Sequence, residues 1–112
     1  MELKQCGHSG LYLSALGLGT LTWGRDTDGP EAHDMLKTFV DAGGNLVECS
    51  PTHGEGIAVD VLSEALSTVG RHRVALAWRG AVRRAGEGAW VSAAGRGDLL
   101  RSLDDALARL DT

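Results

Sequence analysis

The sequence predicts an α/β fold, a parallel sheet covered by helices. Three observations carry this expectation. Short runs suited to strands begin near residues 15, 45 and 73, and each is followed by a break and then a stretch of helical periodicity. That spacing leaves room for the right-handed crossover that joins parallel strands. Ahead of the first unit, residues 2–13 hold two short extended runs around Gly7-His8-Ser9-Gly10, the pattern of a β-hairpin.

A chain of 112 residues is one domain or part of one. Hydrophobic residues make up 43%, enough for a packed core, and the net charge of -4 argues against a nucleic-acid or membrane-surface partner. No apolar run approaches the roughly 20 residues that span a bilayer, and the first residues carry no signal-peptide pattern. Cys6 and Cys49 are far apart and form no C-x-x-C, so both are expected as reduced thiols in a cytoplasmic protein. His8 reads as a solvated turn residue, and no metal is expected.

The first unit covers residues 15–42. Ala15-Leu16-Gly17-Leu18-Gly19 is apolar without clean alternation, as in a strand buried on both faces. Gly17 and Gly19 begin a G-x-G pattern. Thr22 stands where its third glycine would fall, and a polar loop rather than a helix follows, so a dinucleotide fingerprint is rejected. Pro30 to Ala42 reads as a helix, with Asp28 or Gly29 as cap, Pro30 in the first turn and Glu31 at the positive end of the dipole. Ala32, Met35, Leu36, Phe39 and Val40 define its apolar face, His33 lies off it, and Gly43-Gly44 ends it.

The second unit covers residues 45–69. In the strand Asn45 to Cys49, Leu46, Glu48 and Ser50 share one face, and Val47 and Cys49 the other. A helix begins at Ile57, with Ile57, Val61, Leu62 and Ala65 on its apolar face. Between them runs a loop broken by Pro51, Gly54 and Gly56, and it carries His53. A carboxylate at a strand end, followed by a titratable group on the next loop, is how barrel enzymes gather catalytic groups at one mouth.

The third unit covers residues 73–110. Val74 to Arg79 is the strand, with Ala75, Ala77 and Arg79 on one side and Val74, Leu76 and Trp78 on the other. Residues 81–95, with Arg83, Arg84, Gly86, Gly88 and Trp90, read as a long loop. Gly97 to Leu110 is an amphipathic helix whose apolar side carries Leu99, Leu100, Leu103, Ala106, Leu107 and Leu110. Such a sheet either closes into a barrel or stays open. Three strands complete neither, and an eight-unit barrel takes about 250 residues. The expectation is a fragment or truncated product with open sheet edges, which are templates for self-association.

The order and spacing of Ser14-Ala15-Leu16-Gly17-Leu18-Gly19-Thr20, Trp23-Gly24, Glu31-Ala32-His33, Asp41-Ala42-Gly43-Gly44-Asn45, Leu62-Ser63-Glu64-Ala65-Leu66 and residues 100–110 are specific together. In them the chain resembles the N-terminal part of the aldo-keto reductases. The resemblance implies the first three βα units of a (β/α)8 TIM barrel preceded by a β-hairpin, an incomplete barrel. It implies an oxidoreductase that reduces a small-molecule carbonyl substrate with NADP(H), or runs in reverse as alcohol oxidation. Most of the cofactor site would lie beyond residue 112.

The catalytic set of that family is an Asp, a Tyr, a Lys and a His. Carried over, the first three positions hold Glu48, His53 and Arg79, and the fourth belongs to a strand beyond this chain. Gly19 and Thr20 match positions near the nicotinamide. A phenol is a poor acid at neutral pH without a cation beside it. Histidine, with an ordinary pKa of about 6.5, needs less tuning. A close Arg79 favours its neutral form and Glu48 its charged form.

Two readings of these residues stand side by side. Glu48, His53 and Arg79 are a catalytic set, or Glu48 and Arg79 form a buried ion pair and His53 is a solvated loop residue. Trp23, Trp78 and Trp90 are candidates for lining a substrate pocket, with Trp78 expected beneath a helix. Arg83 and Arg84 attract phosphate or lie on a solvated loop. The function classes are correspondingly a reductase, inactive as an isolated chain, and a catalytically inactive remnant or interaction module that needs a partner to complete its sheet.

Overall fold

The structure is a computed structural model that describes residues 1–112. Its strands are β1 (Leu3–Gln5), β2 (Tyr12–Ser14), β3 (Gly17–Gly19), β4 (Leu46–Cys49), β5 (Ala75–Trp78), β6 (Val82–Ala85) and β7 (Ala89–Ser92), and its helices α1 (Gly29–Asp41), α2 (Ala58–Val69) and α3 (Arg96–Arg109). β3, β4 and β5 form a parallel sheet in that order, and β1–β2 and β6–β7 are separate antiparallel pairs.

Each helix boundary has a local cause. Asp28 caps α1 by accepting the Glu31 N–H at 2.9 Å, and Pro30 supplies a φ suited to the first turn. At the other end the Gly44 N–H reaches the Phe39 carbonyl and the Gly43 N–H the Val40 carbonyl, the paired bonds of a Schellman ending. α2 has no side-chain cap; it grows out of a tight 3-10 turn over His53–Gly56.

The core lies between the sheet and the first two helices. Ala32, Leu36 and Val40 of α1 meet Ala58, Val59, Leu62, Ala65 and Leu66 of α2 over Val47 and Cys49 of β4. Strand parity explains the choice, because Val47 and Cys49 share the face that the helices cover. At the opposite end of β4, Asn45 ties the first hairpin to the sheet. Its Oδ1 accepts from the Ser14 N–H at 2.7 Å and its Nδ2 donates to the Tyr12 carbonyl at 2.9 Å. The buried Ser14 hydroxyl accepts in return from the Asn45 and Leu46 N–H groups.

Five expectations are corrected. β3 is not buried on both faces: Leu18 packs on the core, whereas Gly17 and Gly19, level with Leu46 and Glu48, lie on the face turned away from the helices and are exposed. Ile57 is half exposed because it precedes α2 and sits on the turn, while Val59 takes the buried position. Residues 82–92 are a hairpin, not a structureless loop, with Val82 opposite Ser92 and Arg84 opposite Trp90. On α3 only Ala106 is buried, with Leu110 just past its end, and Leu99, Leu100, Leu103 and Leu107 stay exposed. The helix meets the rest of the molecule through Ser102, Ala106 and Arg109, and its leucine-bearing face is left uncovered, so amphipathicity did not translate into burial. Met35 of α1 is likewise exposed.

Candidate functional site

The C-terminal ends of β3, β4 and β5 converge on one corner. In register, Gly19 faces Glu48 and Glu48 faces Ala77. Pairing continues one step beyond the strands, for the Thr20 N–H donates to the Glu48 carbonyl at 3.2 Å and the Arg79 N–H to the Cys49 carbonyl at 2.9 Å. Glu48, Ala77 and Arg79 share the face turned away from the helices, by the same parity that buries Val47 and Cys49.

Arg79 Nη1 donates to Glu48 Oε1 at 3.1 Å. The pair sits at the surface rather than in the interior, because the Arg79 side chain is 71% exposed and Glu48 only partly covered. His53 Nε2 lies 4.0 Å from the same Oε1. The three residues singled out from the sequence therefore come together around one carboxylate oxygen.

His53 is not the solvated loop residue of the second reading; its side chain is 3% exposed. Its Nδ1 lies 3.0 Å from Thr20 Oγ1, and Thr20 is fully buried. Burial pushes the imidazole below its ordinary pKa; Glu48 opposes that shift and Arg79 adds to it. Burial thus decides a balance that the charges alone left open. Beneath the corner, burial pushes the Cys49 thiol up, with the Thr20 hydroxyl beside it acting in the opposite direction. Both cysteines are free thiols, Cys6 exposed and Cys49 buried.

The loop under His53 is held from several sides. Gly54 and Glu55 both adopt left-handed backbone angles, φ +55° and +58°. The first suits glycine; in Glu55 it stores roughly 1–2 kcal/mol of strain. The Gly54 N–H donates to the Leu21 carbonyl at 3.0 Å. Arg109 of α3 donates to the Gly56 carbonyl at 2.9 Å and to Asp60, and Arg84 reaches the Glu55 carbonyl at 3.4 Å.

The tryptophans separate. Trp23 is fully buried in the core, and its Nε1–H has no partner. Trp78 packs beneath α3, donating from Nε1 to Ser102 Oγ at 2.9 Å. Trp78 and Trp90 line a 420 Å³ cavity between the β6–β7 hairpin and α3, and none of Glu48, His53 and Arg79 borders it. Arg84 stacks on Trp90 with its guanidinium 4.7 Å from the ring centre, so it is engaged rather than free in a solvated loop. Gly19 is exposed beside Glu48, whereas the Thr20 hydroxyl is used internally. Sequence reasoning missed the Thr20–His53 contact and the hold of Arg84 and Arg109 on the loop. The partners lie tens of residues apart, and no local pattern marks them.

Comparison with known proteins supplies the context. The sequence profile of the Aldo/keto reductase family matches residues 15–112. A rice protein, Oryza sativa subsp. japonica, described as a "Probable voltage-gated potassium channel subunit beta", is 29% identical over 112 residues, which is 99% of this chain and 34% of that protein. A crystal structure from Pseudomonas aeruginosa, ascribed to the aldo-keto reductases, superposes with a TM-score of 0.85 at 30% identity, covering 98% of this chain and 43% of the other. The holo form of an aldo-keto reductase from Bacillus halodurans gives a TM-score of 0.83 at 25% identity, covering 100% of this chain and 37% of the other. The chain thus spans about a third of the rice relative and about two fifths of these structures.

Proposed function

Since this chain belongs to the aldo/keto reductase family, we propose that it supplies the first three βα units of a (β/α)8 barrel oxidoreductase. The reaction is reduction of a carbonyl compound by NADP(H), or its reversal. One observation carries this reading: Glu48, His53 and Arg79, from three separate segments, meet around Glu48 Oε1 at the C-terminal ends of parallel strands. That end of such a sheet is where barrel enzymes place their chemistry.

On this reading the three residues divide the work. His53, its Nε2 turned toward the Glu48 carboxylate, would meet the charge that develops on the reacting oxygen. Glu48 orients His53 and Arg79, and the fixed charge of Arg79 stabilises an oxyanion. Gly19, exposed beside Glu48, leaves open backbone against which a nicotinamide can lie. When bound, the cofactor would supply the hydride; its adenosine end would need segments beyond residue 112.

The test completes the barrel. The chain is fused to the complementary C-terminal portion of the Pseudomonas aeruginosa structure, and NADPH binding and NADPH consumption are followed with a panel of aldehydes and ketones. Binding and turnover are expected, with turnover falling by about a hundredfold or more in His53→Gln, as for loss of a group that meets the developing charge. A fusion that binds NADPH and reduces no carbonyl sinks the reading.

A second reading has its own support. Leu99, Leu100, Leu103 and Leu107 are exposed along α3, and both outer edges of the β3–β4–β5 sheet are unpaired. An interaction module that needs a partner to complete its sheet, without catalysis, would use these surfaces. Size-exclusion chromatography separates the two: a monomeric, cooperatively folded chain counts against it.

A further inference from the structure

Thr20 Oγ1 and His53 Nδ1 lie 3.0 Å apart, 33 residues apart in sequence, and both side chains are buried. Each is fixed independently. The Thr20 N–H donates to the Glu48 carbonyl, and the His53 N–H donates to the Ser50 carbonyl at 3.1 Å. The ring is therefore oriented with Nδ1 toward Thr20 and Nε2 toward the Glu48 carboxylate, 4.0 Å away.

A neutral imidazole carries one N–H and one bare nitrogen, while a hydroxyl has one proton to give. If Nδ1 held the proton, Thr20 would have to accept it. Its own proton would then lose the His53 nitrogen, and the Thr20 hydroxyl makes no other hydrogen bond that could take it. The bare Nε2 lone pair would also face a carboxylate whose Oε1 is already engaged by Arg79. With the proton on Nε2, Thr20 donates into Nδ1 and the Nε2–H points toward negative charge. The Thr20 hydroxyl and Nδ1 are then matched, and the Nε2–H, 4.0 Å from the carboxylate and so beyond hydrogen-bond length, is left free to donate to another group.

We propose that Thr20 is a positioning residue whose hydroxyl holds neutral His53 in the Nε2–H tautomer, so that the imidazole presents a hydrogen-bond donor at the mouth. Its part in catalysis rests on the reductase reading above; the tautomer itself does not. A neutral imidazole N–H that donates to a carbonyl oxygen polarises it as an electrophile. Thr20 then acts through His53, and its hydroxyl is not free to contact a cofactor.

The experiment is long-range nitrogen–proton correlation NMR on the full 112-residue chain above pH 7, with His53 assigned by its disappearance in His53→Gln. The expected pattern is Nε2–H, with Nδ1 displaced from the position of an unbonded ring nitrogen. Thr20→Val, which removes the hydroxyl and keeps the shape, should return Nδ1 to the unbonded position and admit some Nδ1–H form. Thr20→Ser should restore the original spectrum. An Nδ1–H pattern in the unsubstituted chain overturns the proposal, and so does a Thr20→Val spectrum with unchanged ring nitrogens. Should Thr20→Val fail to fold, the tautomer of the unsubstituted chain decides alone. An Nε2–H pattern in a completed barrel that reduces no carbonyl would remove the reductase reading and leave the tautomer assignment intact.

Discussion

Glu48 and Arg79 are 31 residues apart in sequence and 3.1 Å apart in space. Their strands pair in parallel with Glu48 opposite Ala77, which leaves Arg79 one diagonal step away on the same face. The contact is a consequence of register. Because Arg79 is largely exposed, solvent screens the pair. Glu48→Gln and Arg79→Met should each change stability by less than about 1 kcal/mol, read from urea unfolding midpoints. A loss of about 3 kcal/mol or more would mean that the pair is buried after all.

His53 makes stability depend on pH. Its folded pKa is depressed, mainly by burial, from the ordinary value of 6.5. Above that value the ring is neutral in both states and full stability is present. As pH falls through 6.5 the unfolded chain takes up a proton that the folded chain resists, so stability declines until pH passes below the folded pKa. The charged and titratable groups facing the ring are Glu48 and Arg79, with the Cys49 thiol, its pKa raised, beneath the same corner. Urea midpoints measured between pH 7.5 and 5 (about one unit either side of the histidine range) should fall for the unsubstituted chain. The slope should flatten in His53→Gln. Equal slopes in the two proteins would contradict the burial of His53.

Gly54 and Gly86 have nearly the same backbone angle, φ +55° and +61°, in very different surroundings. A Cβ on Gly86 would meet nothing within 4 Å, while one on Gly54 would run into the Trp23 carbonyl oxygen. Gly86→Ala should therefore cost about 1 kcal/mol, the left-handed penalty alone. Gly54→Ala adds a backbone clash and should cost at least about 3 kcal/mol. Thermal unfolding of the two variants is the comparison, and similar losses would show that the His53 loop is free to move.

The two apolar helix faces should also respond differently. Leu62 of α2 is fully buried, whereas Leu100 of α3 is 51% exposed. Leu62→Ala should cost about 2–5 kcal/mol through lost burial and the cavity left behind. Leu100→Ala should stay within about 0.5 kcal/mol. A large loss at Leu100 in the isolated chain would mean that α3 is covered in solution, and sedimentation velocity would then show an associated species.

Much of the sheet is legible in the sequence. Strand and helix alternation, the Asp28 cap and the Gly43-Gly44 ending are local patterns, and each acts within a few residues. The hairpin at residues 82–92 was missed because Arg83, Arg84 and Glu87 make the segment polar. Its pairing rests on the turn at Gly86 and on Arg84 stacking over Trp90, which propensity does not register. On α3 the periodicity was clear and still misjudged, since a hydrophobic face says what can be buried and not whether a surface is there to bury it.

The candidate site divides along the same line. Strand alternation is enough to say which residues could face the mouth: it puts Glu48 opposite in parity to Val47 and Cys49, and Arg79 opposite to Trp78. It also placed Glu48, His53 and Arg79 at strand ends or on the loop beyond. What these residues do to one another depends on packing between elements. The burial of His53, its bond to Thr20 and the direction of its pKa shift arise because β3 lies beside β4. The loop is pressed inward as well, by the Leu21 carbonyl at Gly54 and by Arg84 and Arg109 at the residues that follow. Those are contacts across tens of residues, set by packing and register, and alternation along a single strand carries no information about them.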